Sequence, residues 1–131
     1  YCCKAVLPEM MKRKYGRIVN ISSMVISMGS SEGQVPYASS KAGIVGLTRC
    51  LATEVAKYNI LVNCVSPGFT SNPFLQKIYT EEQLQEKSSR TLIGRGAETE
   101  EIANVVAFLA SDEASYVTGS TVSVSGGAVL Y

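Results

Sequence analysis

The segment Tyr37-Ala38-Ser39-Ser40-Lys41 carries a phenol and an amine four residues apart, and two hydroxyls, Ser22 and Ser23, stand upstream of it. On a helix, positions i and i+4 share one face a turn apart, so the side chains of Tyr37 and Lys41 can approach each other. A phenol with a free pKa of about 10 is a poor proton donor or acceptor near neutrality, and a neighbouring cation draws that value toward the working range. The pair is therefore a candidate for proton transfer. Tyr and Lys at this spacing also decorate many solvated helix faces, so the pentapeptide gains meaning only from the elements around it.

Those elements can be read from the pattern. Gly16 to Ser23 (Gly-Arg-Ile-Val-Asn-Ile-Ser-Ser) reads as a short strand ending in two hydroxyls. Such a strand delivers a serine to the carboxyl edge of a sheet, where open α/β sheets bind ligands. Ile18 to Ile21 is apolar on both faces apart from Asn20, as expected of a parallel strand covered on each side. Residues 24–36 read as a loop carrying Gly29, Ser30, Ser31 and Gly33, with Pro36 opening a helix from Tyr37 to Lys57. The buried stripes of that helix are assigned to Ala42, Val45, Leu51, Ala52 and Val55, and Gly43 and Gly46 permit another backbone to come close. Ile60 to Ser66 is a second buried strand closed by Pro67-Gly68, completing a right-handed βαβ unit.

The flanks follow the same logic. Ala5, Val6, Leu7, Met10 and Met11 recur at helical spacing before a basic end at Lys12, Arg13 and Lys14, with Gly16 as the stop. Residues 69–96 are the least regular part: Asn72-Pro73 reads as a turn, Glu81 to Lys87 as a polar helix, and Gly94-Arg95-Gly96 closes the stretch. Placed just past the sheet's carboxyl edge, this segment is a substrate-binding lid or a plain surface excursion. Thr99 is the expected N-cap of the next helix, whose stripe is Ile102, Val105, Val106 and Leu109. Thr121 to Ser125 alternates as a last strand before Gly126-Gly127. The fold class is α/β, a partial doubly wound parallel sheet of three strands with flanking helices.

Composition narrows the chemistry. The chain has 131 residues, 46% hydrophobic, with a formal charge of +1, and so carries no basic stripe for nucleic acid or an anionic membrane. With no histidine it holds no Ser-His-Asp triad, Cys-His dyad or His-based zinc site. Four cysteines, Cys2, Cys3, Cys50 and Cys64, show no CxxC pair, which suits a reduced, cytoplasmic setting. No apolar run reaches the length of a membrane span.

The order Gly16 to Ser23, Tyr37-x-x-x-Lys41, Asn63-Cys64-Val65-Ser66-Pro67-Gly68 and then Gly119 to Gly127 resembles the carboxyl-terminal half of short-chain dehydrogenase/reductases, most closely the 3-oxoacyl-acyl-carrier-protein reductase branch. The likeness runs in one register through essentially the whole chain. It implies a Rossmann-like NAD(P)-binding domain and reversible hydride transfer between a nicotinamide and a carbonyl or alcohol carbon, in fatty acid biosynthesis. It assigns proton transfer to Tyr37, the lowering of its pKa and a grip on the cofactor ribose to Lys41, and a hydrogen bond to the substrate oxygen to Ser23. A preorganised donor of that kind is worth roughly 3 kcal/mol. Ser22 competes for this role. The resemblance further places Pro67, Gly68, Thr70 and Asn72 along the nicotinamide, Asn72 standing where the family usually has Thr. The spacing from Ser23 to Tyr37 is one residue longer than the commonest in the family.

The cofactor implied is NADP or NAD, with NADP favoured, and the substrate a small carbonyl compound, presented on acyl-carrier protein in the branch named. Arg95 is a candidate for docking that carrier. The helix before the Ile18 strand and the Tyr37 helix build the subunit interface in the family, implying a homodimer or homotetramer. The family's glycine-rich turn and the residue that chooses between the nicotinamides would lie before residue 1, so the expectation is a catalytic half whose Ile18 to Ile21 edge is exposed and which is inactive by itself. Two other readings stand beside this one: a non-catalytic assembly module that keeps the oligomerisation helices, and a Ser/Lys hydrolase using Ser23 and a neutral Lys41.

Overall fold

The computed structural model describes residues 1–29 and 33–130; Ser30 and Ser31 of the expected loop lie outside the described residues. In chain order the elements are α1 (Cys2–Arg13), β1 (Gly16–Ile21), α2 (Val25–Met28), α3 (Val35–Val55), β2 (Ile60–Pro67), α4 (Pro73–Ile78), α5 (Glu81–Ser89), α6 (Thr99–Ala110) and β3 (Thr121–Val124). Short 3-10 turns at Ala56–Tyr58 and Asp112–Ala114 precede β2 and β3. The three strands form one parallel sheet in the order β1-β2-β3, with Ile18 opposite Val62 and Val65 opposite Val122.

Each face of the sheet has its own apolar cluster. Leu51, Ala52 and Val55 of α3 pack with Ile60 and Val62 of β2, and Leu7, Met10 and Met11 of α1 join from the side. On the opposite face Val65 meets Leu109 and Ala114, with Ile102, Val105 and Val106 of α6 laid against it. Strand β2 is covered on both faces, buried from Ile60 to Ser66. Each fully enclosed Ile, Val or Leu there contributes about 1.5–3 kcal/mol relative to an exposed one. Asn63 is satisfied inside this core: its amide donates to the Val117 carbonyl at 2.7 Å and accepts from the Ser120 N–H at 3.2 Å, tying β2 to the entry of β3.

Several details differ from the sequence expectation. β1 is the edge strand, as expected, but only Gly16 in it is buried, where Ile18 to Ile21 reads as covered on each side. Ala42 is exposed rather than buried, and a Cβ added at Gly43 or Gly46 would meet nothing within 4 Å, so both glycines face outward. α1 ends at Lys14 in a left-handed conformation (φ 51°), two residues before Gly16. The loop after β1 contains the one-turn helix α2. Asn72-Pro73 starts α4 instead of making a turn, because the Asn72 carbonyl oxygen accepts from the Phe74 and Leu75 N–H groups. The N-cap of α6 is Glu98, whose N–H is taken by the Glu101 carboxylate at 2.8 Å; Thr99 lies inside the first turn.

Candidate active site

β1 ends at Ile21, and the next two residues go to different surroundings. Ser22 is buried, and its hydroxyl donates to the Lys41 carbonyl at 2.9 Å, so it is occupied in holding α3 against the strand end. Ser23 instead lines a cavity of about 540 Å³. Its oxygen accepts only a long bond, 3.4 Å, from the Val25 N–H, which leaves the hydroxyl hydrogen available to a ligand. The backbone around it is fixed from β2: the Ser22 N–H bonds the Val65 carbonyl at 2.8 Å and the Met24 N–H the Pro67 carbonyl at 3.0 Å.

Tyr37, in the first turn of α3, lines the same cavity and is 47% exposed. Its hydroxyl has no hydrogen-bond partner among the described residues. One turn on, the Lys41 ammonium stands 5.8 Å from the centre of the Tyr37 ring and donates to the Ile21 carbonyl at 3.0 Å. Lys41 is outside the cavity wall itself. Pro36 at the amino end of α3 makes this geometry cheap, since its missing N–H is one the helix would leave unpaired in any case.

The rim beyond β2 supplies the facing wall. Gly68, Thr70 and Asn72 line the cavity, whereas Pro67 does not. Gly68 is where two chain segments nearly touch: a Cβ there would lie 2.6 Å from the Ser125 Cα, so only glycine fits. The Thr70 hydroxyl donates back to the Gly68 carbonyl at 3.2 Å, and the Thr70 N–H has no partner among the described residues. Asn72 spends its carbonyl oxygen on capping α4 and one amide hydrogen on the Thr70 carbonyl at 3.1 Å, keeping a single donor free. Thr91, buried after α5, donates within bonding range of the Ser88 and Arg95 carbonyls and accepts from Gly94 N–H, so it stiffens the end of the 69–96 segment where it meets the cavity.

Tyr79, Lys87 and Thr91 join this wall with no motif to announce them; only the placement of 69–96 past the strand ends pointed there. Beneath the site, burial pushes the Cys64 thiol up, against the weaker pull of the Ser22 backbone and the Thr48 hydroxyl, so it is held as a neutral thiol. Among the described residues no cluster of side chains suits a metal ion, and no helix is long and apolar enough to cross a membrane.

A strand-end serine and the tyrosine of a helical Tyr-x-x-x-Lys thus line one cavity. A family model described as enoyl-(acyl carrier protein) reductase matches residues 1–129. The chain belongs to the short-chain dehydrogenase/reductase family. Within that family it is 46% identical over 125 residues to a 3-oxoacyl-acyl-carrier-protein reductase of Thermotoga maritima, covering 95% of this chain and 50% of that protein. It is 49% identical over 124 residues to the same-named reductase of Pseudomonas aeruginosa, covering 95% of this chain and 49% of that protein. The crystal structure of a 3-oxoacyl-acyl-carrier-protein reductase from Brucella melitensis with bound NAD superposes with a TM-score of 0.87 at 36% identity, covering 96% of this chain and 45% of that one. The short-chain dehydrogenase/reductase chain described here thus spans about half the length of these relatives, and its Rossmann-like three-stranded parallel sheet corresponds to part of theirs.

Proposed function

We propose that this protein is an NAD(P)-dependent oxidoreductase acting on a carbonyl or alcohol carbon, in the manner of a 3-oxoacyl-acyl-carrier-protein reductase, with Tyr37, Ser23 and Lys41 at its centre. The observation that carries the reading is that Ser23 and Tyr37, from separate elements, present unengaged hydroxyls to one cavity. Two donors lining one cavity suit the oxygen of a carbonyl, where negative charge grows as the carbon is reduced. Tyr37 delivers the proton to that oxygen, and the Ser23 hydrogen bond fixes its direction. Lys41 holds positive charge beside the Tyr37 ring, anchored to the Ile21 carbonyl, and would be the residue to hold the ribose hydroxyls of a bound cofactor.

The opposite wall fits a nicotinamide. The unpaired Thr70 N–H and the remaining amide hydrogen of Asn72 are donors for a carboxamide oxygen, and Gly68 beside them lets the β2 end close onto Ser125. When bound, the reduced nicotinamide supplies the hydride. NADP is the form favoured by the family resemblance, while the Brucella melitensis reductase holds NAD. Residues 69–96 serve as the lid, and the outward-facing Gly43 and Gly46 of α3 form the surface on which a second copy packs, giving a homodimer or homotetramer in the cytoplasm. The test is a spectrophotometric assay of the full-length protein with NADPH and NADH and an acetoacetyl thioester. Turnover that disappears in Tyr37→Phe is expected; failure of both nicotinamides to bind by calorimetry overturns the reading.

A further inference from the structure

The cavity shared by Ser23 and Tyr37 has an uneven charge distribution. Among the described residues that line it none is acidic, while two are cationic, Lys87 and Arg90, both contributed by the end of α5. Arg90 is compensated by an ion pair with Glu86 one turn earlier. Lys87 has no ion pair among the described residues; its ammonium rests over the Tyr79 ring, 4.5 Å from the centroid. A ring face steadies a cation without cancelling its formal charge. Lys87 is half-buried, although a lysine on a polar helix is free to extend into water. The same cavity is also lined by apolar Met24, Val25 and Leu75.

A positively charged patch at one side of an apolar cavity, with carbonyl-directed donors elsewhere in the same wall, selects a ligand that carries both features. We propose that Lys87 is a specificity-determining residue and that the preferred substrate is a carbonyl compound bearing an anionic group, a carboxylate or a phosphate, which meets this ammonium. The inference rests on the proposed oxidoreductase reading and names the substrate class of the same cavity.

Matched pairs test it. Acetoacetate is compared with methyl acetoacetate, and acetoacetyl-phosphopantetheine with acetoacetyl-pantetheine, on the purified protein and its Lys87→Met variant. A charge-assisted contact predicts about a tenfold higher kcat/KM for the anionic member of a pair, expressed in KM. That preference collapses in Lys87→Met while the neutral member is reduced as before. Preference in the first pair identifies a carboxylate, in the second a phosphate. Equal rates within both pairs, or a preference that survives Lys87→Met, overturns the inference and leaves the oxidoreductase reading standing. Should no member of either pair be reduced, that broader reading fails, and NMR titration decides the binding claim separately: shifts at Lys87 and Tyr79 with an anionic member but not its neutral partner support it, and their absence in both pairs removes it.

Discussion

Ser22 and Lys41 are joined by the strand-end hydroxyl donating to the helix carbonyl at 2.9 Å, and the Lys41 ammonium returns to the same strand end through the Ile21 carbonyl at 3.0 Å. The two bonds fix the rotation of α3 relative to β1, and with it the side on which Tyr37 emerges. Ser22→Ala removes one buried hydrogen bond worth about 1 kcal/mol. A fall in melting temperature of about 4 °C follows, with turnover retained to within an order of magnitude. Differential scanning calorimetry beside a steady-state assay reads both.

Ser23→Ala should do the reverse. Its oxygen makes only the long contact with the Val25 N–H, so stability changes little. Loss of a preorganised donor to the substrate oxygen lowers kcat by about 100-fold. If Ser22→Ala proves the more damaging to turnover, the two serines have exchanged roles.

Gly68→Ala pushes a methyl group to 2.6 Å from the Ser125 Cα, a backbone atom that cannot step aside without moving the end of β3. Overpacking of this kind costs about 1–3 kcal/mol. The denaturation midpoint should fall accordingly, and nicotinamide affinity should weaken with it, because Thr70 is only two residues away. Unchanged urea unfolding would show that the two strand ends are less closely apposed.

Arg17 and Asp112 staple the opposite end of the sheet. The Arg17 side chain is 7% exposed and meets Asp112 at 3.1 Å, which also accepts from the Tyr15 hydroxyl at 2.9 Å, while the Tyr15 ring lies 4.5 Å from the guanidinium. Asp112→Ala leaves an enclosed charge with only carbonyl partners. Because Asp112 itself is largely solvated, the cost is about 1–2 kcal/mol rather than that of a fully buried pair. Chemical denaturation measures it, and kcat should not move.

The Arg95 guanidinium holds the Glu101 carboxyl down at about 2, with help from the Glu98 N–H. The folded value lies below the ordinary 4.5, so this contribution to stability is fully present above pH 4.5 and is lost as pH falls toward 2. The gap in denaturation midpoint between the parent and Glu101→Gln should therefore be constant near neutrality and close across that acid window. High salt should narrow it at every pH, since the pair is open to solvent. A gap that widens on acidification contradicts the assignment.

The frame was legible wherever hydrophobic pattern and end signals agreed. Val and Ile runs located β1 and β2, and Pro36 marked the entry to α3 within two residues of Tyr37. Asn72-Pro73 was ambiguous because an asparagine side chain that accepts backbone N–H groups serves a turn and a helix start alike. Thr99 lost the cap to Glu98 because Glu101 reaches back to the N–H of residue 98, a choice that sequence leaves open. The division of labour between Ser22 and Ser23 depends on which hydroxyl lies under α3, a tertiary fact. Ala42 was misassigned for the same reason, since the outer face of a long helix shows little contrast when it is built from Ala and Gly. Lys87 had no pattern at all; only folding of residues 69–96 brings it to the cavity that Ser23 and Tyr37 line.

All three strands point the same way, so the groups suited to chemistry gather on one rim and the Arg17 staple, like the Asn63 tether, lies away from it. Protein engineers gain a practical separation from this polarity: substitutions at the lower end can be screened for heat tolerance alone, and libraries aimed at new ligands can be confined to the upper loops, with little trade between the two campaigns.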